Sequence, residues 1–188
     1  MEDFIYDEAQ PHMGGNIDGG DAFTYCPQAW AWMVSIFGVS TVLDVGCAQG
    51  HAMEHFQKLG CTTLGIEGLR QNAEKAVYPT INLDLQQGSL DLFGIDLVWC
   101  CEVSEHIEEE FLPNLLNILA CGKVLAMTHA TPGQEGHHHV NCQEREHWIK
   151  ALGSYGMMYD DSLTKTATTL DTHNNHFGWH GLVFRKVK

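Results

Sequence analysis

Within the stretch TVLDVGCAQGH, from Thr41 to His51, four residues have the types and spacing to hold a small ligand: Asp44, Gly46, Cys47 and Gly50. After a buried strand, Gly46 lets the chain turn tightly and lets backbone approach a ligand, while Gly50 lets the next helix pack closely on the sheet. Asp44, at the strand end, is placed to accept hydrogen bonds from the loop or from a ligand amine. About 20 residues beyond Gly46, Glu67 ends the run LGIE, where an acid can take both hydroxyls of a ribose. A pyrophosphate cradle would read G-x-G-x-x-G, but counting from Gly46 puts Ala48 and His51 where its later glycines belong. The match to such a cradle is poor.

A second source of chemistry is imidazole. The chain has 12 histidines, and HATPGQEGHHHVN, from His129 to Asn141, contains four of them. Imidazole suits a general base near neutral pH, and His129 and His138 are the first candidates. A metal reading competes: His137 and His139 share one side of an extended loop, and His129 or His12 would complete a site. The plainest reading has these rings hydrogen-bonding loop backbone. We assign no metal from the sequence. His173, His176 and His180 have helical ligand spacing, but Asn174, Asn175 and Gly178 predict a loop.

Strand-like runs position these groups at Thr41 to Val45, Thr62 to Ile66, Thr80 to Leu83, Ile95 to Cys100 and Lys123 to Thr128, with GLVFRKVK as a closing strand. Helical segments alternate with them. Pro27 and Gly38 bound the first; His51 to Leu59 and Arg70 to Val77 follow. Ser104 to Leu119 begins with Ser104 as N-cap, turns at Glu110 and restarts at Pro113. Asn141 and Glu144 have capping-box spacing before a helix through Trp148 and Leu152. Alternating strand and helix means a parallel sheet covered on both faces. Residues 1–26 read as an arm or lid, since Gly14, Gly15, Gly19 and Gly20 interrupt any period up to Asp21. Residues 27–188 read as one domain.

Composition narrows the partners. Ten Lys and Arg against 24 Asp and Glu give a net charge of −14, and the densest cationic cluster is Arg185, Lys186 and Lys188. A phosphate-neutralising surface needs the opposite balance, so nucleic acid is not expected as a partner. The seven cysteines form no C-x-x-C pair, and several lie in apolar runs, which reads as a reducing, cytoplasmic setting. No apolar run approaches the ~20 residues of a membrane span, and no membrane partner is expected.

Taken in order, LDVGCAQGH, LGIEG and FGIDLVWCCEVSEHI resemble the class I S-adenosylmethionine-dependent methyltransferases, over about Thr24 to Phe184. The resemblance implies an α/β fold, Rossmann-like and doubly wound, with a mostly parallel seven-stranded sheet and helices on both faces. The family pattern D-x-G-C-G-x-G has a glycine where this chain has Ala48. By resemblance, Asp44, Gly46, Cys47, Ala48 and Gly50 border the methionine end of the cofactor, Glu67 holds its ribose, and Gly68 with Leu69 flanks the adenine. Asp84 in INLDL matches the acidic residue beside the adenine amine, with Leu85 next to it. Cys101 and Glu102 fall on the sulfonium side, and His106 is a third candidate base because Glu-His after the fourth strand recurs in the family. The segment from LAMTHATPGQEGHHHVN to HWI is similar to small methyltransferases of phage or environmental bacterial type. In those, an HMGGN-like segment precedes the domain, which implies that His12, Gly14 and Gly15 fold over the site.

The expected function is methyl transfer from S-adenosylmethionine to a small molecule or glycan, directed at oxygen. A non-catalytic module that binds the same cofactor is the alternative. An NAD-dependent oxidoreductase is disfavoured by Ala48 and by the lack of a hydride-site pattern.

Overall fold

The computed structural model of the protein describes residues 4–170 and 175–187. Its first elements are strands β1 (Phe4–Asp7) and β2 (Gln10–Ile17), an antiparallel hairpin with irregular register around Tyr6. Regular structure therefore begins well before Pro27. The left-handed Gly14 and Gly15, at φ +92° and +91°, break the alternation that would otherwise signal a strand.

Helix α1 (Pro27–Phe37) starts on its proline and stops at Gly38, whose φ of +61° the left-handed cap requires. β3 (Thr41–Val45), α2 (His51–Lys58), β4 (Thr62–Glu67), α3 (Arg70–Lys75), β5 (Thr80–Asn82) and β6 (Leu97–Cys100) follow. After β6, single 3-10 turns at Ser104–His106 and Glu109–Phe111 lead into α4 (Leu112–Leu119), with Pro113 in its first turn. Ser104 does not cap a helix. Its hydroxyl donates instead to the Thr128 carbonyl at 3.2 Å.

Beyond β7 (Val124–Met127), α5 (Arg145–Gly153) has Glu144 as its N-cap residue, and Asn141 lies outside it. The capping-box expectation fails because the Asn141 amide is already used, donating to the Ile107 carbonyl at 3.0 Å. β8 (Met157–Tyr159), α6 (Asp161–Thr168), α7 (His176–His180) and β9 (Leu182–Lys186) complete the chain. α7 stands where a loop was expected, because Asn175 acts as its cap and accepts from the Gly178 amide at 2.6 Å. His173 and Asn174 lie outside the described residues.

The large sheet has seven strands in the order β5-β4-β3-β6-β7-β9-β8; β9 runs antiparallel to both neighbours and the others are parallel. Side chains alternate across it. On β3, Leu43 and Val45 join one core with α4 and α5, including Leu115 and Trp148, while Val42 joins a second core with α1 and α2, including Trp30 and Phe56. The sheet is thus covered on both faces. From β3 the chain steps outward through β4 to β5 and then crosses back to β6 on the other side of β3, so the strand order reverses there and opens a crevice at the carboxyl end of β3.

Candidate functional site

The turn after β3 is fastened to β4 by its own backbone. The Gly46 and Cys47 amides both donate to the Ile66 carbonyl, at 2.8 and 3.1 Å. Gly46 has φ +72°, and a Cβ there would collide with the Val103 side chain. Ala48 follows in the left-handed region at φ +47°, a conformation that costs a non-glycine residue about 1–2 kcal/mol. Its amide donates to Glu67 Oε2 at 2.8 Å, while the Leu69 amide donates to Oε1 at 2.7 Å. One carboxylate therefore holds the loops after β3 and β4 together. Burial raises the Glu67 pKa and the two amides oppose that shift. Asp44 is buried beside it, and desolvation, then the Glu67 charge, push its carboxyl up to about 7.

These loops floor a cleft of about 680 Å³, which Gly68, Leu69 and Leu85 also line. The hairpin forms its roof through residues from His12 to Ile17. Side-chain contacts tie this roof down, among them His12 to Asp84 at 3.2 Å, Asn72 to Asn16 at 2.9 Å, and Gln49 and Lys75 to Asp18 at 2.7 and 3.5 Å. Asp84 additionally accepts from the Gln86 amide and the Gln87 side chain, both at 2.9 Å. No lysine or arginine is among the described residues lining the cleft.

The end of β6 supplies the opposite wall. Cys101 and Glu102 line it, and Glu102 has φ +56°. Thr128 Oγ1 donates to Glu102 Oε1 at 2.8 Å, and His176 Nδ1 lies 3.3 Å from Oε2, with its Nε2 3.5 Å from Asp21. His176, which the sequence pattern put in a loop, thus bridges two acids at the cleft wall. Glu105, which the sequence reading did not single out, is fully buried, and burial together with Glu102 pushes it up to about 8. His106 lines the cleft; burial and the nearby His139 hold its pKa down at about 4, so its ring is neutral at physiological pH.

The two first-choice bases sit elsewhere. His129 is buried with Nδ1 3.1 Å from the Gln143 carbonyl, and His138, at φ +47°, lies 3.8 Å from Glu108. Neither is among the cleft-lining residues. Nor does the structure gather the metal set suggested by spacing. His137 packs on Tyr6, His12 turns to Asp84, and His129 stays with its own loop.

The family model described as a methyltransferase domain matches residues 23–177. No curated protein matches the sequence. Among solved structures, a TehB-like S-adenosylmethionine-dependent methyltransferase from Corynebacterium glutamicum is 18% identical with a TM-score of 0.64, over 90% of this chain and 91% of that one. Magnesium protoporphyrin IX methyltransferase from Synechocystis, solved with bound S-adenosylmethionine, is 18% identical with a TM-score of 0.59, over 85% and 76% of the chains. The plantazolicin methyltransferase, solved with a desmethyl plantazolicin analogue and S-adenosylhomocysteine, is 13% identical with a TM-score of 0.60, over 86% and 83%.

Proposed function

Because the chain belongs to the methyltransferase-domain family, we propose that it moves a methyl group from S-adenosylmethionine to an oxygen of a small molecule or glycan. The cofactor of the family is S-adenosylmethionine, and the cleft suits it. Asp44, Glu67 and Asp84 line it with carboxylates, Ile66, Leu69 and Leu85 give it apolar walls, and the cations that would pair with a pyrophosphate are missing from its described lining. That charge pattern carries the reading. Asp44 would take the cofactor's amino group, Glu67 its ribose, and Asp84, Gly68, Leu69 and Leu85 its adenine, with Gly46, Cys47 and Ala48 as the floor and Gly50, which does not line the cleft, starting the helix behind it. Bound there, the cofactor supplies an electrophilic methyl carried on a sulfonium. Cys101 and Glu102 would border that sulfonium, and His106, on the same wall, would orient the acceptor. A cleft this size holds a nucleoside cofactor and a modest acceptor, and the hairpin roof together with the acidic surface disfavours a polyanion. The acceptors in the names of two neighbours, magnesium protoporphyrin IX and plantazolicin, agree with a small molecule.

S-adenosylhomocysteine is expected to raise the melting temperature, by about 2.7 kcal/mol of stabilisation at a hundred times its Kd, and NAD is not. The reverse ranking in a thermal-shift titration would favour the oxidoreductase. Labelled methyl from S-adenosylmethionine should then appear in an acceptor from a metabolite extract. Tight binding without such transfer would mark a non-catalytic module.

Cofactor affinity should also depend on pH. Asp44, raised to about 7 in the folded protein, holds a proton between roughly pH 4 and 7 that an unfolded chain releases, so this group's contribution to stability falls as pH rises through that window. An incoming ammonium needs the ionised form. Calorimetry with S-adenosylhomocysteine should therefore show affinity falling by up to about tenfold per unit below pH 7, and Asp44→Asn should flatten the slope. An unchanged slope in the variant would place the amino group elsewhere.

A further inference from the structure

We propose that Glu105, His106 and His139 bind one divalent transition-metal ion, of the manganese or zinc type, in the wall of the cleft. One ligand atom from each lies within 4.8 Å of the others. The set draws two residues from the turn after β6 and one from the histidine-rich loop after β7, brought together only by folding.

Two observations point to a ligand. Glu105 is fully buried with its carboxyl against that of Glu102, and no amide or hydroxyl donates to its Oε1, while the buried His106 Nδ1 has no hydrogen-bond partner. A buried polar atom without a donor or acceptor to meet it is costly, and an ion held by both groups would offset that cost. The orientation of His139 agrees. Its Nδ1 lies 3.1 Å from the Gln134 carbonyl, so the ring donates there and keeps the Nε2 lone pair, the arrangement of a metal-bound imidazole with a backbone partner.

The scaffold around the cluster is fixed. The Val140 and Asn141 amides donate to the Glu105 carbonyl at 2.9 and 3.0 Å, and the Asn141 side chain reaches the Ile107 carbonyl, so the residue after His139 is pinned to the turn that carries His106. Gly136 passes so close that a Cβ there would strike the His139 ring. Bonds of ~2.1 Å place donors roughly 3.4 Å apart around a tetrahedral ion, so loading requires only a small contraction, within reach of side-chain rotation. Two imidazoles and one carboxylate form a set that leaves a coordination position for substrate. Both imidazoles border the cleft, so that position faces the acceptor side. An acceptor oxygen would occupy it; this last assignment rests on the methyl-transfer reading, whereas ion binding does not.

The test uses the full chain, stripped with a chelator and dialysed against manganese(II) or zinc(II) without cofactor, with bound ion measured by elemental analysis and manganese followed by electron paramagnetic resonance. One ion per chain is expected. Glu105→Gln, which keeps the side-chain volume, and His139→Ala, in a loop, should each weaken it by at least tenfold, while His129→Ala should not. Circular dichroism confirms that each variant is folded. No ion retained by the wild-type chain, or equal retention by the Glu105 and His139 variants, overturns the site. Ion binding without S-adenosylhomocysteine binding would instead leave the site standing and remove the methyl-transfer reading.

Discussion

Trp99→Ala is expected to lower the free energy of unfolding by about 3–5 kcal/mol, the range for removing a large aromatic side chain from a packed core. Trp99 lies on β6 with 2% of its surface exposed. Its ring meets Trp30 of α1 edge-on at 5.5 Å and Phe177 of α7 at 4.9 Å. Alanine leaves a cavity that two helices border, and it also loosens the helix carrying His176. Urea denaturation should show a lower midpoint with little change in slope. A loss below about 1 kcal/mol would mean that α1 and α7 collapse into the space, contrary to the close packing of that face.

Glu67→Ala should act on two levels. If the carboxylate takes the ribose, losing a charged hydrogen-bond acceptor weakens cofactor binding by about 1.5–3 kcal/mol, roughly 10- to 150-fold. The structure adds a second cost, because the Ala48 and Leu69 amides lose their acceptor. Glu67→Gln separates the effects poorly, since its NH₂ would face one of those amides donor to donor. Calorimetry with S-adenosylhomocysteine, paired with a thermal melt of the apo protein, distinguishes them. A lower melting temperature with unchanged affinity would make Glu67 a fastener of the two loops and place the ribose on other groups.

Much of this frame was legible in the sequence because its signals are local. Apolar strand runs, the prolines at Pro27 and Pro113 and the glycines at Gly38 and Gly46 each act within a few residues of themselves. Where reading failed, a side chain had been claimed by a distant partner or a cap had been taken for a loop. Asn141 resembled a helix start, but its amide serves Ile107. Asn175 and Gly178 resembled a loop, but they are the two halves of a cap. The hairpin was hidden because Gly14 and Gly15 carry a bulged register. Candidate site residues followed the same division. Asp44, Gly46, Cys47, Ala48 and Glu67 line one cleft, while Gly50 is not among its lining residues, and the grouping of Glu105 and His106 with His139 depends on where a long loop returns, which no spacing encodes.

The two rims of the large sheet, β5 and β8, are three residues each. A rim that short exposes too few free amides and carbonyls to template a strand from another molecule, the means by which open sheets grow into fibres. The buried apolar strands β3 and β6 lie inside, flanked on both sides. Strand order thus lets a continuous apolar core coexist with a periphery that resists self-templating at high concentration.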